Sequence, residues 1–246
     1  MNDAERINRN FAVINMQRHL CQNPRPGDGI VAGIVEVGKT RYIVEVYWTE
    51  GSNEDVHLHE PEGSGLVSVR DSKDNEMYRC MDNVILPRQE KGCVVSNSIQ
   101  TRDIVAGINT GIRRFDQVLV ESVCYGDQQQ PETKISTLSR LNGECRMFIS
   151  WQNQSGGSSY ARHSVRADPG LGHCITTNAF GGKKPFEGAP LLFPLWGDIG
   201  QLAEYYWDAL ELPNGCGSKA VSLVVRFFDP YGVSRVLIRE PAKSRA

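Results

Sequence analysis

The chain lacks an excess of either charge: 27 Lys and Arg stand against 29 Asp and Glu, a formal net charge of -2 over 246 residues. Nucleic-acid binders usually carry a basic footprint, so no specific nucleic-acid partner is expected. No apolar run approaches the roughly 20 residues that a membrane helix needs, so no membrane partner is expected either. The N-terminus is polar and charged, unlike a secretory signal. Position 2 is Asn2, not the glycine that myristoylation requires. Seven cysteines lie at 21, 80, 93, 124, 145, 174 and 216, and no two have C-x-x-C spacing. That speaks against a zinc site or a thioredoxin-like motif and leaves reduced thiols in a cytosolic setting as the default. No G-x-S-x-G elbow and no internal repeat is present. An enzyme is the least supported class, and no catalytic residue or metal ligand is expected.

What remains is the composition of an ordinary soluble domain, 40% hydrophobic and 23% charged. The length suits one large domain, or one with a projecting arm, and allows a real core. The most informative stretch is 196–232. Asp198 reads as a helix N-cap, and Gln201 can complete a capping box. Ile199, Leu202, Ala203, Tyr206 and Leu210 then share one helical face. Glu211, Leu212, Pro213, Asn214 and Gly215 should stop the helix, since proline cannot continue it. Residues 220–228 form a nearly continuous apolar run, followed by a turn at 229–232 and a return strand at 233–238.

Residues 2–21 predict an amphipathic helix capped by Asn2 or Asp3, with Ile7, Phe11 and Ile14 along one stripe. Pro24 and Pro26 end it. Two readings stand: an arm that packs on a neighbouring subunit, or a helix folded back on its own domain. From residue 30 the apolar period shifts towards two. Residues 30–37 and 42–48 read as a hairpin around Gly38 and Lys39. Strands are expected at 66–70, 77–86, 104–108, 117–125 and 145–151, with weaker ones at 160–166 and 174–177. Residues 51–65, 154–159 and 181–194 read as loops. The expected fold is mainly β: a β-sandwich over 23–246, an N-terminal helical arm over 1–22 and a late aromatic helix.

Several constellations have a chemical reading and a plainer one. His57 and His59 share a face beside Asp55 and Glu60 but lack an evident third metal ligand, and a solvated loop is favoured. His163, His173, Asp168, Ser164 and Cys174 can be arranged as a nucleophile set on paper, with no local signature behind it. The run from Gly107 to Gly111 resembles part of a phosphate loop without its Lys-Ser/Thr ending, and Arg113 and Arg114 after it are better read as ion-pair partners. Tyr42, Tyr47 and Trp48 could form a cation cage in a Tudor-like barrel, but core and sheet surface are the preferred reading.

Three places resemble the polyhedrins of cypoviruses, the proteins that build the occlusion crystals of insect cytoplasmic polyhedrosis viruses. They are Asn8, Arg9, Asn10 and Phe11 early in the first helix; Asp198 with Tyr206, Trp207, Asp208, Ala209, Leu210, Glu211 and Leu212 in the late helix; and Tyr231, Gly232 and Val233 near the end. Their order and spacing agree with the family, while 50–195 carries no match. The resemblance implies a β-sandwich whose subunits form trimers, joined through helical arms into a crystal in the host-cell cytoplasm. That crystal embeds virus particles and dissolves in alkali. On this reading Ile7, Phe11 and Ile14 are the assembly arm, and Tyr206, Trp207 and Leu210 a packing helix. Tyr125, Tyr205, Tyr206 and Tyr231 are the alkaline-sensing candidates. With eight Tyr the chain is poorer in tyrosine than that family, so Cys and Lys are expected to share the titration. Some family members hold a nucleotide; no matching motif places one here, and no other cofactor is implied. The rival expectations are a jelly-roll capsid protein, which usually carries a basic arm, and a cytosolic Tudor-like binding module.

Overall fold

The computed structural model describes residues 3–50, 56–61, 64–71, 77–125, 133–152, 157–179, 185–211 and 221–241. Two antiparallel sheets pack face to face, and helices cover both outer faces. The six-stranded sheet runs β11-β10-β1-β2-β12-β13. Its strands are β1 (Gly29–Val37), β2 (Thr40–Glu50), β10 (Leu171–Thr176), β11 (Leu191–Pro194), β12 (Val221–Phe228) and β13 (Ser234–Arg239). The seven-stranded sheet takes its strands in chain order, from β3 to β9. These are β3 (Val56–His59), β4 (Val67–Asp71), β5 (Met77–Ile85), β6 (Lys91–Ser96), β7 (Lys134–Arg140), β8 (Glu144–Gln152) and β9 (Ser158–Arg166). This consecutive meander is not a jelly roll, whose strands alternate between the two sheets.

The layers explain the apolar patterning. Ile30, Ala32, Tyr47 and Val224 of the first sheet meet Val67, Met81, Val95, Ile135 and Met147 of the second. The outer face of the first sheet buries Val31, Trp48, Leu223 and Val225 under α1 (Asp3–Met16) and α4 (Ile199–Leu210). The outer face of the second buries Val84, Val94, Leu138 and Phe148 under α2 (Gln100–Asn109) and α3 (Phe115–Tyr125). β12 is therefore buried at every residue and reads as an apolar run broken only by Ser222 and Arg226. Its one charge, Arg226, lies fully buried between the sheets. It donates from Nε to Glu45 Oε2 at 3.1 Å, and from Nη1 to the carbonyl of Gly65 at 3.1 Å across to the other sheet. Its Nη2 also meets Glu45 Oε2 and the carbonyl of Asp82. Ser139 donates to the other Glu45 oxygen, Oε1, at 3.1 Å.

The β-sandwich, the N-terminal helix and the late helix agree with expectation, as does the hairpin, whose register pairs Val37 with Thr40 around Gly38. Other assignments need correction. Residues 104–108 and 117–125 are not strands but lie in α2 and α3. Their buried positions, Thr101, Ile104 and Ile108, then Phe115, Val118 and Leu119, follow the helical spacing of three and four. A short apolar run such as 104–108 carries no periodicity that separates the two. Among the described residues the α-helices are therefore four, not two. The expected loops at 51–65 and 181–194 contain β3 and β11. β6 and β7 were not anticipated as strands. The expected stop at Leu212, Pro213, Asn214 and Gly215 lies outside the described residues.

Candidate functional site

Helix α1 presents two apolar faces. One carries Ala12 and Met16, continued by Leu20 in the wider π turn Gln17–Cys21, at spacings of four residues. All three are buried, and Met16 and Leu20 belong to the cluster with Trp48, Phe193 and Tyr206. Asn15 Nδ2 donates to the carbonyl of Leu192 on β11 at 3.0 Å, and the guanidinium of Arg9 lies 5.9 Å from the Trp196 ring centre. The helix thus lies along its own domain, the second of the two sequence readings. The other face carries Ile7, Phe11 and Ile14, which are 50%, 54% and 56% exposed. The domain anchors the helix and leaves this stripe in water.

Helix α4 begins as its sequence dictates. Asp198 accepts from Gln201 N at 2.9 Å, and Gln201 Oε1 accepts from Asp198 N at 3.0 Å. Tyr206 and Leu210 are buried against the first sheet, and the Tyr206 hydroxyl donates to the carbonyl of Pro194 at 3.0 Å. Trp207 is half-buried and donates its indole N–H to Glu211 at 2.7 Å. Tyr205 beside them is exposed, and its ring meets Tyr206 edge-on. Burial raises the pKa of both phenols, that of Tyr206 well above the ordinary value. Tyr231 stands at the tip of the β12–β13 turn and is 80% exposed, its carbonyl accepting from Lys91. Tyr125 closes α3, and its side chain lies outside the described residues.

The other constellations come apart. Ser164 and His163 are neighbours on β9 and so point to opposite faces, while His173 and Cys174 belong to β10 in the other sheet. His57 lies 3.6 Å from Glu240, and no cluster of three His, Cys, Asp or Glu suited to a metal forms among the described residues. Gly107 lies inside α2, and the Thr110 and Gly111 N–H groups donate to Ala106 and Ile108, so they form no phosphate cradle. Arg113 pairs with Glu121 at 3.0 Å, as an ion-pair reading anticipates. Tyr47 and Trp48 are wholly buried and cannot line a cage.

Sequence reasoning missed the buried Arg226–Glu45 pair, which only cross-strand register brings together. It also missed Ile99 and Ile112, two strongly exposed isoleucines flanking α2. No protein-family model matches the chain, and no curated protein matches it.

Proposed function

We propose that this chain is the matrix subunit of a viral occlusion body. It assembles with copies of itself, as trimers and then as a crystal, in the cytoplasm of an infected cell, and it encloses virus particles. The observation that carries this reading is the stripe of Ile7, Phe11 and Ile14, held in water on a helix whose opposite face is anchored. Single exposed apolar residues are ordinary. Three in a row at spacings of four and three form a docking pattern, and each is worth about 1.5–3 kcal/mol when fully covered. The three stretches that resemble the polyhedrins fall on this helix, on α4 and on the exposed Tyr231 turn. The near-zero net charge keeps self-repulsion small.

The test is expression in insect cells followed by light microscopy. Intracellular crystals are expected at neutral pH, and they should dissolve as pH passes about 10, where Tyr and Lys titrate. The variant I7S/F11S/I14S is expected to stay soluble and folded. Wild-type protein that never crystallises, or crystals that persist well beyond that pH, would overturn the reading.

A further inference from the structure

We infer that the groove between α2 and α3 is the receptor for the Ile7/Phe11/Ile14 stripe of a second copy of this chain; this rests on the self-assembly reading above. The groove has a volume of about 660 Å³. Ala106, Gly107, Ile112 and Val118 form its apolar wall, with Asp103 and Glu121 at the rim. Gly107 lets the two helices approach: a Cβ there would stand 2.9 Å from Val118 Cγ2. Ile112 beside it is among the most exposed large apolar residues described.

Shape, charge and position select the occupant. Helix α2 has 10 residues, about 15 Å of length, and the stripe from Ile7 to Ile14 spans about 10 Å, so one lies along the other. The polar groups in the groove are largely spent on each other. Arg113 holds Glu121 at 3.0 Å, and Gln100 Nε2 bonds Ser122. A small polar ligand would find few free partners there, whereas an apolar helix face needs few. Asp103 makes no ion pair among the described residues. With Glu121 it outweighs Arg113 by one negative charge, while residues 1–21 carry Arg6, Arg9 and Arg18 against Asp3 and Glu5.

Position makes the contact intermolecular. Helix α1 lies outside the six-stranded sheet and the groove outside the seven-stranded one, with the whole sandwich between them. A chain whose helix is seated as here cannot fill its own groove. Stripe into groove is a heterologous contact, and such contacts propagate unless their rotation closes a ring.

Two variants test this on the full-length protein. I7S/F11S/I14S removes the stripe, and A106W fills the groove from an exposed position of α2. Each is expected to keep the wild-type circular dichroism and to raise the concentration needed for self-association at least tenfold, read by sedimentation. Mixed, they should combine one to one, because each keeps the half that the other lacks. A photo-crosslinker at Phe11 of the wild-type chain should attach to residues 103–122 of a second molecule. If A106W assembles normally, or the crosslink maps elsewhere, the groove is not the receptor, although the stripe can still be the assembly arm. If the stripe variant also assembles normally, or the wild type does not associate at all, the self-assembly reading falls with it.

Discussion

At the scale of the residue, Arg226 and Glu45 decide most. They sit opposite each other on β12 and β2 with both side chains turned towards the second sheet, and both are buried. The guanidinium reaches Gly65, Asp82 and Asn83, so one side chain ties the two sheets at several points. A buried pair of this kind gains little over a well-packed apolar pair, but removing one partner strands the other charge. Arg226→Met is therefore expected to cost about 3–5 kcal/mol, and Arg226→Met with Glu45→Met to recover most of that loss. Urea denaturation of the two variants checks it. A single variant that melts like the wild type would mean that water reaches Glu45.

At the scale of the element, α1 is a helix with two separable jobs. Met16, with Leu20 in the turn that follows, is part of the core under the first sheet, while Ile7, Phe11 and Ile14 are each half or more exposed. Met16→Ala should cost about 2–5 kcal/mol through the cavity it leaves. The three serine substitutions on the exposed face should each change stability by no more than about 0.5 kcal/mol. Thermal melts of both variants distinguish the faces, and equal losses would mean that the stripe is covered within the monomer. For the same reason, deleting residues 1–21 removes core side chains together with the stripe and is the wrong way to isolate the arm.

At the scale of the whole molecule, burial sets the response to alkali. Cys80, Cys93, Cys145 and Cys174 lie in the core with their thiol pKa values pushed up by desolvation, Cys80 and Cys145 to about 12. Burial raises Tyr47 and Tyr206 in the same way. In the unfolded chain thiols titrate near ~8.5 and phenols near ~10. Above those values the unfolded state binds fewer protons than the folded one, so stability falls as pH rises. Each group contributes about 1.4 kcal/mol per pH unit until its folded value is reached. Four thiols together offset a typical stability of about 5–15 kcal/mol within about one to three pH units. The urea midpoint is therefore expected to be level from pH 6 to 8 and to drop steeply between about 9 and 11. A midpoint unchanged through that window would show that these thiols are reached by water. The share of the alkaline response expected of Cys beside Tyr thus falls on buried thiols, and the fold itself should weaken in the range where a crystal would dissolve.

The sequence by itself determined what depends on near neighbours. The capping box of Asp198 and Gln201 sets the start of α4 three residues apart, and Gly38 closes the β1–β2 hairpin between adjacent strands. The strand-rich class and the presence of a helix before Pro24 were legible for the same reason. Tertiary structure decided what depends on distant partners. Residues 104–108 are a helix because Phe115, Val118 and Leu119 pack with them against the seven-stranded sheet. Which face of α1 is buried was settled by a surface built from β11, α4 and the six-stranded sheet, so the stripe legible in the sequence proved to be the one left exposed. Glu45 and Arg226 lie 181 residues apart, and no local pattern announces that two opposite charges will share one dry interior. Periodicity shows that a face is apolar. What covers that face is a contact energy, and it exists only once the chain has folded.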